Sequence, residues 1–537
     1  MKKTLLAALV VGGAAVLAPL YGPGILARAA TPAGDDLDPA VKAVTSAYAI
    51  VEQNAAEPVS TENTFYDGVI PGMLHALDPH SNFIKPQEYK EMMRKQQAHY
   101  YGVGMQITID GPKVVVMEPF PGSPAANADL RRGDWIVAVD GKDTNGMDTQ
   151  QVADMLRGPR GTQVKVSVKR EGATEPYTPT VTRDAIETSV VDCYWIKPGV
   201  AYLGVSSFEA SNIEHDVQAG LKALDESKVN SLILDLRDNL GGLVNEAVFL
   251  AGRFLRDGQV VVSQHGRVDA DQTYKAKAKD PKDPALKYPM VVLVNRNSAS
   301  ASEIVSGALQ DHDRALIMGE TTFGKGLVQA QFQLQDGSAL LLTIAHYYTP
   351  SGRLIQRDYS HSSMLEYYTA RPKGDGPAAT DDIKATDSGR KVYGGGGITP
   401  DEKYPALHYT PFERHVLSTG SLNQDIFWHF ADHYFGPRKP AVSGESWMPD
   451  ADTMNSFKEF LHSKQITFTD AEFTANQDWV RDRIRHEFLF RAYNKKVANQ
   501  AKNQTDAEVL AAIDNMPKAE SLLKESNRAY AMRAAAK

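Results

Sequence analysis

The chain has 537 residues, too many for a single hydrophobic core and about enough for three or four domains. Hydrophobic residues make up 42% and charged residues 23%, the composition of a soluble globular protein, and a net charge of -8 argues against nucleic acid as its partner. Cys193 is the only cysteine, which excludes an internal disulfide and a cysteine-rich structural zinc site; it reads as a small buried apolar side chain.

The N-terminus reads as an export signal spanning residues 1–29. Lys2 and Lys3 precede an apolar run from Leu5 to Leu20, and Ala27-Arg28-Ala29 offers small residues where a signal peptidase cuts. The run is short for a bilayer span, so cleavage is expected, leaving a periplasmic or secreted protein. An uncleaved segment would instead hold the protein at a membrane. Residues 31–37 form a linker rich in Pro, Gly and Asp.

Residues 38–98 form a small helical domain. Val41, Val44, Tyr48 and Val51 make one apolar stripe, and Ile70, Met73, Leu74 and Leu77 a second, broken by Asp78-Pro79-His80-Ser81. Residues 99–186 read as a β-rich domain. Its strands are 106–109, 114–117, 134–139 and 164–168, with a short helix at 151–156.

Residues 187–407 alternate strands with helices, the pattern of an α/β layered fold. Strand 232–236 leads to helix 244–254, and strand 290–294 to helix 301–312. A further strand covers 315–318, and Asp336-Gly337 turns a hairpin between 328–334 and 339–346. Residues 370–400 form an irregular excursion. Residues 408–537 are a helical, polar C-terminal extension.

Two segments carry chemistry. Ser298-Ala299-Ser300-Ala301-Ser302-Glu303 lies where strand 290–294 turns into a helix, and Phe323-Gly324-Lys325-Gly326-Leu327-Val328-Gln329 is a glycine-flanked lysine loop. A serine hydroxyl needs a base within hydrogen-bond reach. Lys325 can supply one only if burial removes its charge, and Phe323 and Leu327 offer the apolar surface for that. Gln329, four residues on, can hold the amine. A helix N-terminus offers free N–H groups and a positive partial charge, so the Ala301 N–H is a natural oxyanion donor. A second donor is expected at Gly241, in the loop Asp238-Asn239-Leu240-Gly241-Gly242. Taken singly, Ser298, Ser300 and Ser302 read equally as helix caps.

Competing motifs fail on detail. Gly319 to Lys325 fits most of a phosphate-binding loop, but Gly326 stands where a hydroxyl should hold magnesium and a strand follows, so no nucleotide is expected. His429 and His433 are four apart with no glutamate to complete a zinc-protease motif, so they read as surface or packing residues.

The serine and lysine segments, with Leu77-Asp78-Pro79-His80-Ser81, Tyr348-Thr349-Pro350-Ser351-Gly352-Arg353 and Gly395-Gly396-Gly397-Ile398-Thr399-Pro400-Asp401, resemble the carboxyl-terminal processing peptidases, over about residues 60–406. Within 99–186, Gly102-Val103-Gly104-Met105 and Gly122-Ser123-Pro124-Ala125-Ala126, followed by Leu130-Arg131-Arg132-Gly133-Asp134, resemble a PDZ domain. Two departures are Leu240, where the family often has proline, and Asp129, where the PDZ pattern commonly has glycine.

The resemblance implies an α/β multidomain serine endopeptidase with a crotonase-like layered core, acting through Ser300 and Lys325 with Gln329 as third member. It implies a PDZ domain that captures substrate C-termini on the loop 102–105 and gates access, and no metal or cofactor. Arg157, at the end of the PDZ helix, is a candidate to couple that domain to the lysine loop. A regulatory adaptor or a homo-oligomer stays open, as does a non-catalytic peptide-binding adaptor that keeps the fold.

Overall fold

The computed structural model describes residues 37–537 apart from 97–98, 269–270, 278–282, 361–363, 370–381, 419–425, 439 and 536–537. The export signal and nearly all of the linker lie outside the described residues, as does the early part of the excursion at 370–400. Among the described residues no helix is long and apolar enough to cross a membrane. The chain forms two compact units, one of residues up to 97, 199–405 and 512 onward, the other of 98–198 and 406–511.

The first unit is built on a parallel sheet in the order Val200–Val205, Ser231–Asp235, Met290–Val294, Leu316–Gly319, Glu402–Lys403. Ser231–Asp235 and Met290–Val294 are buried at every residue, as expected of parallel strands covered on both faces. Helices Ile213–Ala223, Val244–Phe254 and Ala301–Asp311 follow the first three strands. A second, antiparallel sheet joins Asn82–Ile84, Ala339–Tyr348, Val260–Gly266 and Gln272–Lys275, with Leu327–Gln333 also paired to Ala339–Tyr348. This is the expected α/β core and hairpin. Sequence reading missed Val200–Val205 and the pair Val260–Gly266 and Gln272–Lys275.

The N-terminal helices Leu37–Asn54 and Ile70–His75 form as expected, yet their apolar stripes are not core. Val41, Val44, Val51, Met73 and Leu77 are exposed, and Leu74 is buried.

In the second unit, Met105–Asp110, Lys113–Pro119, Trp135–Val139, Gln163–Lys169 and Thr180–Thr182 make an antiparallel sheet. Its alternating valines (Val114, Val116, Val164, Val166 and Val168) pack with Val152 and Leu156 of the helix Thr149–Leu156. Asp148 caps that helix in a reciprocal bond with Gln151. Arg183 caps its other end, donating to the carbonyls of Met155 and Leu156.

The C-terminal extension differs from its polar reading. Helices Pro411–Ser418, Ile426–Phe435, Ala451–Ser463 and Gln477–Ala492 enclose an aromatic core that includes Phe412, Phe427, Phe430, Phe457, Phe460 and Phe488. Glu413, Arg485 and Glu487 are buried with it. Arg132 of the β-rich domain lies over the Trp428 ring at 3.7 Å and pairs with Glu487 at 2.7 Å. The extension also divides. Its last helix, Met516–Ala535, packs on the first unit, where Leu522 and Leu523 are buried and Ser526 Oγ donates to the His312 carbonyl at 3.0 Å.

Candidate active site

Ser300 is the N-cap of the helix Ala301–Asp311 and has φ 55° and ψ -110°. Side chains other than glycine rarely adopt this backbone, and strain of this kind gathers where a side chain must be presented at a sharp turn. Strand Met290–Val294 ends just before it, so the serine sits on a strand-to-helix turn of the nucleophile-elbow type. Ser298 and Ser302 hold this turn in place: their hydroxyls donate to the carbonyls of Leu236 and Asn239.

Lys325 lies in the loop between strands Leu316–Gly319 and Leu327–Gln333 and is 2% exposed. Gly324 has φ 89°, and a side-chain carbon there would sit 2.9 Å from Arg357 Cβ, so the tight loop requires glycine. Burial lowers the Lys325 pKa from 10.5 to about 8, against the carboxylates of Asp78 and Glu303, which favour the ammonium. Its Nζ donates to Gln329 Oε1 at 2.9 Å, and Gln329 Nε2 donates to the His80 carbonyl at 2.8 Å. The amide of Gln329 is thereby oriented with its oxygen toward the lysine.

That last partner was not foreseen. In the sequence, Asp78-Pro79-His80-Ser81 reads as a helix breaker and as part of the family resemblance, with no role at the site. In the fold Asp78 closes it into a turn, accepting from the N–H groups of His80 and Ser81 and from the Ser81 hydroxyl. The His80 ring is bonded to the hydroxyls of Tyr367 and Tyr368. Burial, with the charges of Lys325 and Arg357, pushes its pKa down to about 2 and keeps it neutral. Phe323 packs against both tyrosines, completing the apolar surroundings.

The two segments meet. Ser300 N–H and Lys325 N–H donate to the same oxygen of Glu303, at 2.7 and 2.9 Å. The Tyr347 hydroxyl is bonded to the carbonyls of both residues. Phe323 N–H also donates to the Ser298 carbonyl at 3.0 Å.

The Gly241 loop reaches the same place. Its φ is 101°, and a side-chain carbon there would lie 2.8 Å from Ser300 Cβ and 3.0 Å from the Ala301 nitrogen. Gly241 thus leaves space over the Ala301 N–H, which as the first of its helix has no intrahelical acceptor. One expectation is corrected: the Gly241 N–H, read as an oxyanion donor, donates to Asn239 Oδ1 at 2.9 Å. Asn239 is fully buried, and its side chain is anchored on the Val205 carbonyl, which fixes that acceptor.

In the second unit the loop 102–105 is buried and held from one side. Ala125 N–H donates to the Val103 carbonyl, and Phe120 N–H and Ser123 Oγ donate to that of Gly104. Arg157 pairs with Asp154 at 3.1 Å and lies over the Tyr100 ring. His433 faces Glu171 and the Phe460 ring, and no group of three ligating side chains gathers for a metal among the described residues.

The family model "Peptidase family S41" matches residues 199–360, and a PDZ domain model matches 115–170. The chain is 37% identical over 303 residues to the carboxy-terminal-processing protease of Bartonella bacilliformis, covering 56% of this chain and 68% of that one. It is 35% identical over 354 residues to the carboxyl-terminal-processing protease of Picosynechococcus, covering 62% and 83%. The chain belongs to peptidase family S41, the carboxyl-terminal processing proteases. It is a serine-type peptidase of that family with a PDZ domain, an α/β protease core and helical regions before and after them. A solved photosystem II D1 C-terminal processing protease is 35% identical, covering 58% of this chain and 82% of that one, with a TM-score of 0.32.

Proposed function

We propose that this S41 peptidase is an exported endopeptidase that cleaves protein substrates near their C-termini through a Ser300/Lys325 acyl-enzyme. The observation that carries the reading is Lys325: buried, with a pKa lowered to about 8, bonded to Gln329, and anchored with Ser300 on one carboxylate oxygen. Ser300 Oγ attacks the peptide carbonyl carbon while its proton passes to neutral Lys325 Nζ. The tetrahedral oxyanion forms against the Ala301 N–H. Collapse breaks the C–N bond as Lys325 returns the proton to the leaving amine. Water, deprotonated by Lys325, then hydrolyses the ester.

The PDZ domain supports capture of a substrate C-terminus on the loop 102–105, with the peptide added as a strand beside Met105–Asp110 and the helix Thr149–Leu156. Gating of the active site by that domain is part of the same proposal. Export to a periplasm or out of the cell is supported by Lys2, Lys3 and the apolar run Leu5 to Leu20.

The deciding experiment compares wild type with Ser300→Ala and Lys325→Ala on an unstructured protein ending in apolar residues. Loss of cleavage in both variants, with an acyl-enzyme of wild type seen by mass spectrometry, supports the dyad. Equal cleavage by Lys325→Ala removes it. Cleavage of a substrate with a blocked C-terminus as fast as a free one removes C-terminal capture.

A further inference from the structure

Glu303 is completely buried in the first turn of its helix, and among the described residues no arginine or lysine side chain pairs with its carboxylate. A glutamate at this position ordinarily caps its own helix by accepting the N-cap N–H. Glu303 does this for Ser300 and much more. Oε2 accepts from Ser300 N–H at 2.7 Å and Lys325 N–H at 2.9 Å; Oε1 accepts from Gly324 N–H at 2.7 Å and Thr322 Oγ1 at 2.5 Å. Three of these four donors belong to the lysine loop, 19 to 22 residues downstream. Tyr347 completes the pattern from the neighbouring strand Ala339–Tyr348, its hydroxyl on the carbonyls of Ser300 and Lys325. Both N–H groups therefore end on Glu303, and the single Tyr347 hydroxyl hydrogen is shared between the two carbonyls, that of Ser300 also accepting from the N–H groups of Glu303 and Ile304.

We propose that Glu303 and Tyr347 are positioning residues of the peptidase, a two-sided clamp that sets the distance and angle between the serine and the lysine. The inference rests on the Ser300/Lys325 reading above. Both hold the backbone of Ser300 and Lys325. Tyr347 acts by geometry, and Glu303 by geometry and by its charge, which favours the Lys325 ammonium: Ser300 and Lys325 come from loops with no chain continuity between them, and a misplacement of about 1 Å between reacting groups can lower a rate by roughly 10²-fold.

The carboxylate is specifically required. Its two oxygens meet four donors, and an ionised carboxyl accepts on all sides. Glutamine would keep the shape but turn an NH2 group toward two donors, opening one side of the clamp. Burial without a counter-charge is costly for a carboxylate, and an apolar residue would fill the same space more cheaply. The hydrogen-bond set explains why the charge sits there. Tyr347 is the gentler probe, because phenylalanine removes the hydroxyl and leaves the ring.

The test uses the full chain, a fluorogenic peptide ending in apolar residues, and a fluorophosphonate that labels a reactive serine. Glu303→Gln is expected to lose roughly 10²-fold in kcat with KM within about threefold, and to slow fluorophosphonate labelling in parallel. Tyr347→Phe is expected to lose roughly tenfold in kcat, again with KM held and its folded fraction at assay temperature unchanged. Wild-type kcat in Tyr347→Phe, or a loss that follows only the folded fraction, would overturn the clamp. That variant decides the matter if Glu303→Gln does not fold. Ser300→Ala and Lys325→Ala run alongside: should they stay active, the dyad reading has failed and the clamp with it; if they are dead while the clamp variants are normal, the clamp alone has failed.

Discussion

The PDZ domain and the protease core each present a glycine-rich loop, and they secure it differently. The loop Gly102–Met105 is held by one segment, through Phe120, Ser123 and Ala125. The site around Ser300 is held by side chains from four separated segments: Asp78–Ser81, Asn239–Gly241, Thr322–Gln329 and Tyr347. A binding loop needs only a fixed backbone, which bonds to one segment supply. A reaction needs several groups at set distances, and those come together only when the whole core has folded.

Ways of breaking this contrast can be ordered by size. Ser300→Ala or Lys325→Ala should reduce kcat by roughly 10³-fold or more, read as steady-state peptide cleavage, with peptide capture by the PDZ domain intact. Gly241→Ala should cost roughly 10²-fold in kcat, because the new carbon meets Ser300 Cβ at 2.8 Å on a backbone at φ 101°. Gly104→Ala is the matching lesion in the other unit, its carbon falling 2.4 Å from Ser123 Cβ. It should weaken C-terminal peptide binding roughly tenfold or more, measured by fluorescence anisotropy, and leave the reactivity of Ser300 toward a fluorophosphonate unchanged.

Acidity sharpens the same contrast. The base is Lys325 in its neutral form, which is depleted below a pKa of about 8. The rate kcat/KM should therefore rise with pH and reach half its plateau near pH 8, falling about tenfold per unit below that. Peptide capture measured over the same range should not follow that curve. A flat rate profile from pH 6 to 9 would contradict the lysine assignment. The smallest effect concerns strain. Ser300→Gly should abolish cleavage yet raise unfolding stability by about 1 kcal/mol, seen as a higher Tm, because glycine adopts φ 55° freely.

How much was legible follows the same division. The serine turn, the lysine loop and the PDZ loop each announce themselves in a few adjacent residues. The strands Ser231–Asp235 and Met290–Val294 were readable as unbroken apolar runs. Val200–Val205 has a comparable run and was overlooked. The His80 carbonyl could not be read, since any residue supplies a carbonyl and only the fold says where it points. Glu303 did carry a signal, a glutamate three places after a serine N-cap, but that pattern implies one bond to its own helix. The other three depend on a loop brought in by a parallel strand. Gly241 shows the reverse case: its place beside Ser300 was foreseen, while its N–H was taken by Asn239, a neighbour two residues away. The aromatic core behind the polar C-terminal segment was hidden because composition averages outer and inner faces of helices.

The helix Met516–Ala535 comes last in the chain, yet it lies on the unit that holds Ser300. Asn515 reaches Met318 in a central strand, Ser526 holds the His312 carbonyl at the end of the serine helix, and Arg533 pairs with Asp387. During synthesis those partners exist long before the helix that covers them. A chain cut short before this helix carries Ser300 and Lys325 but lacks the contacts that the helix makes on their unit.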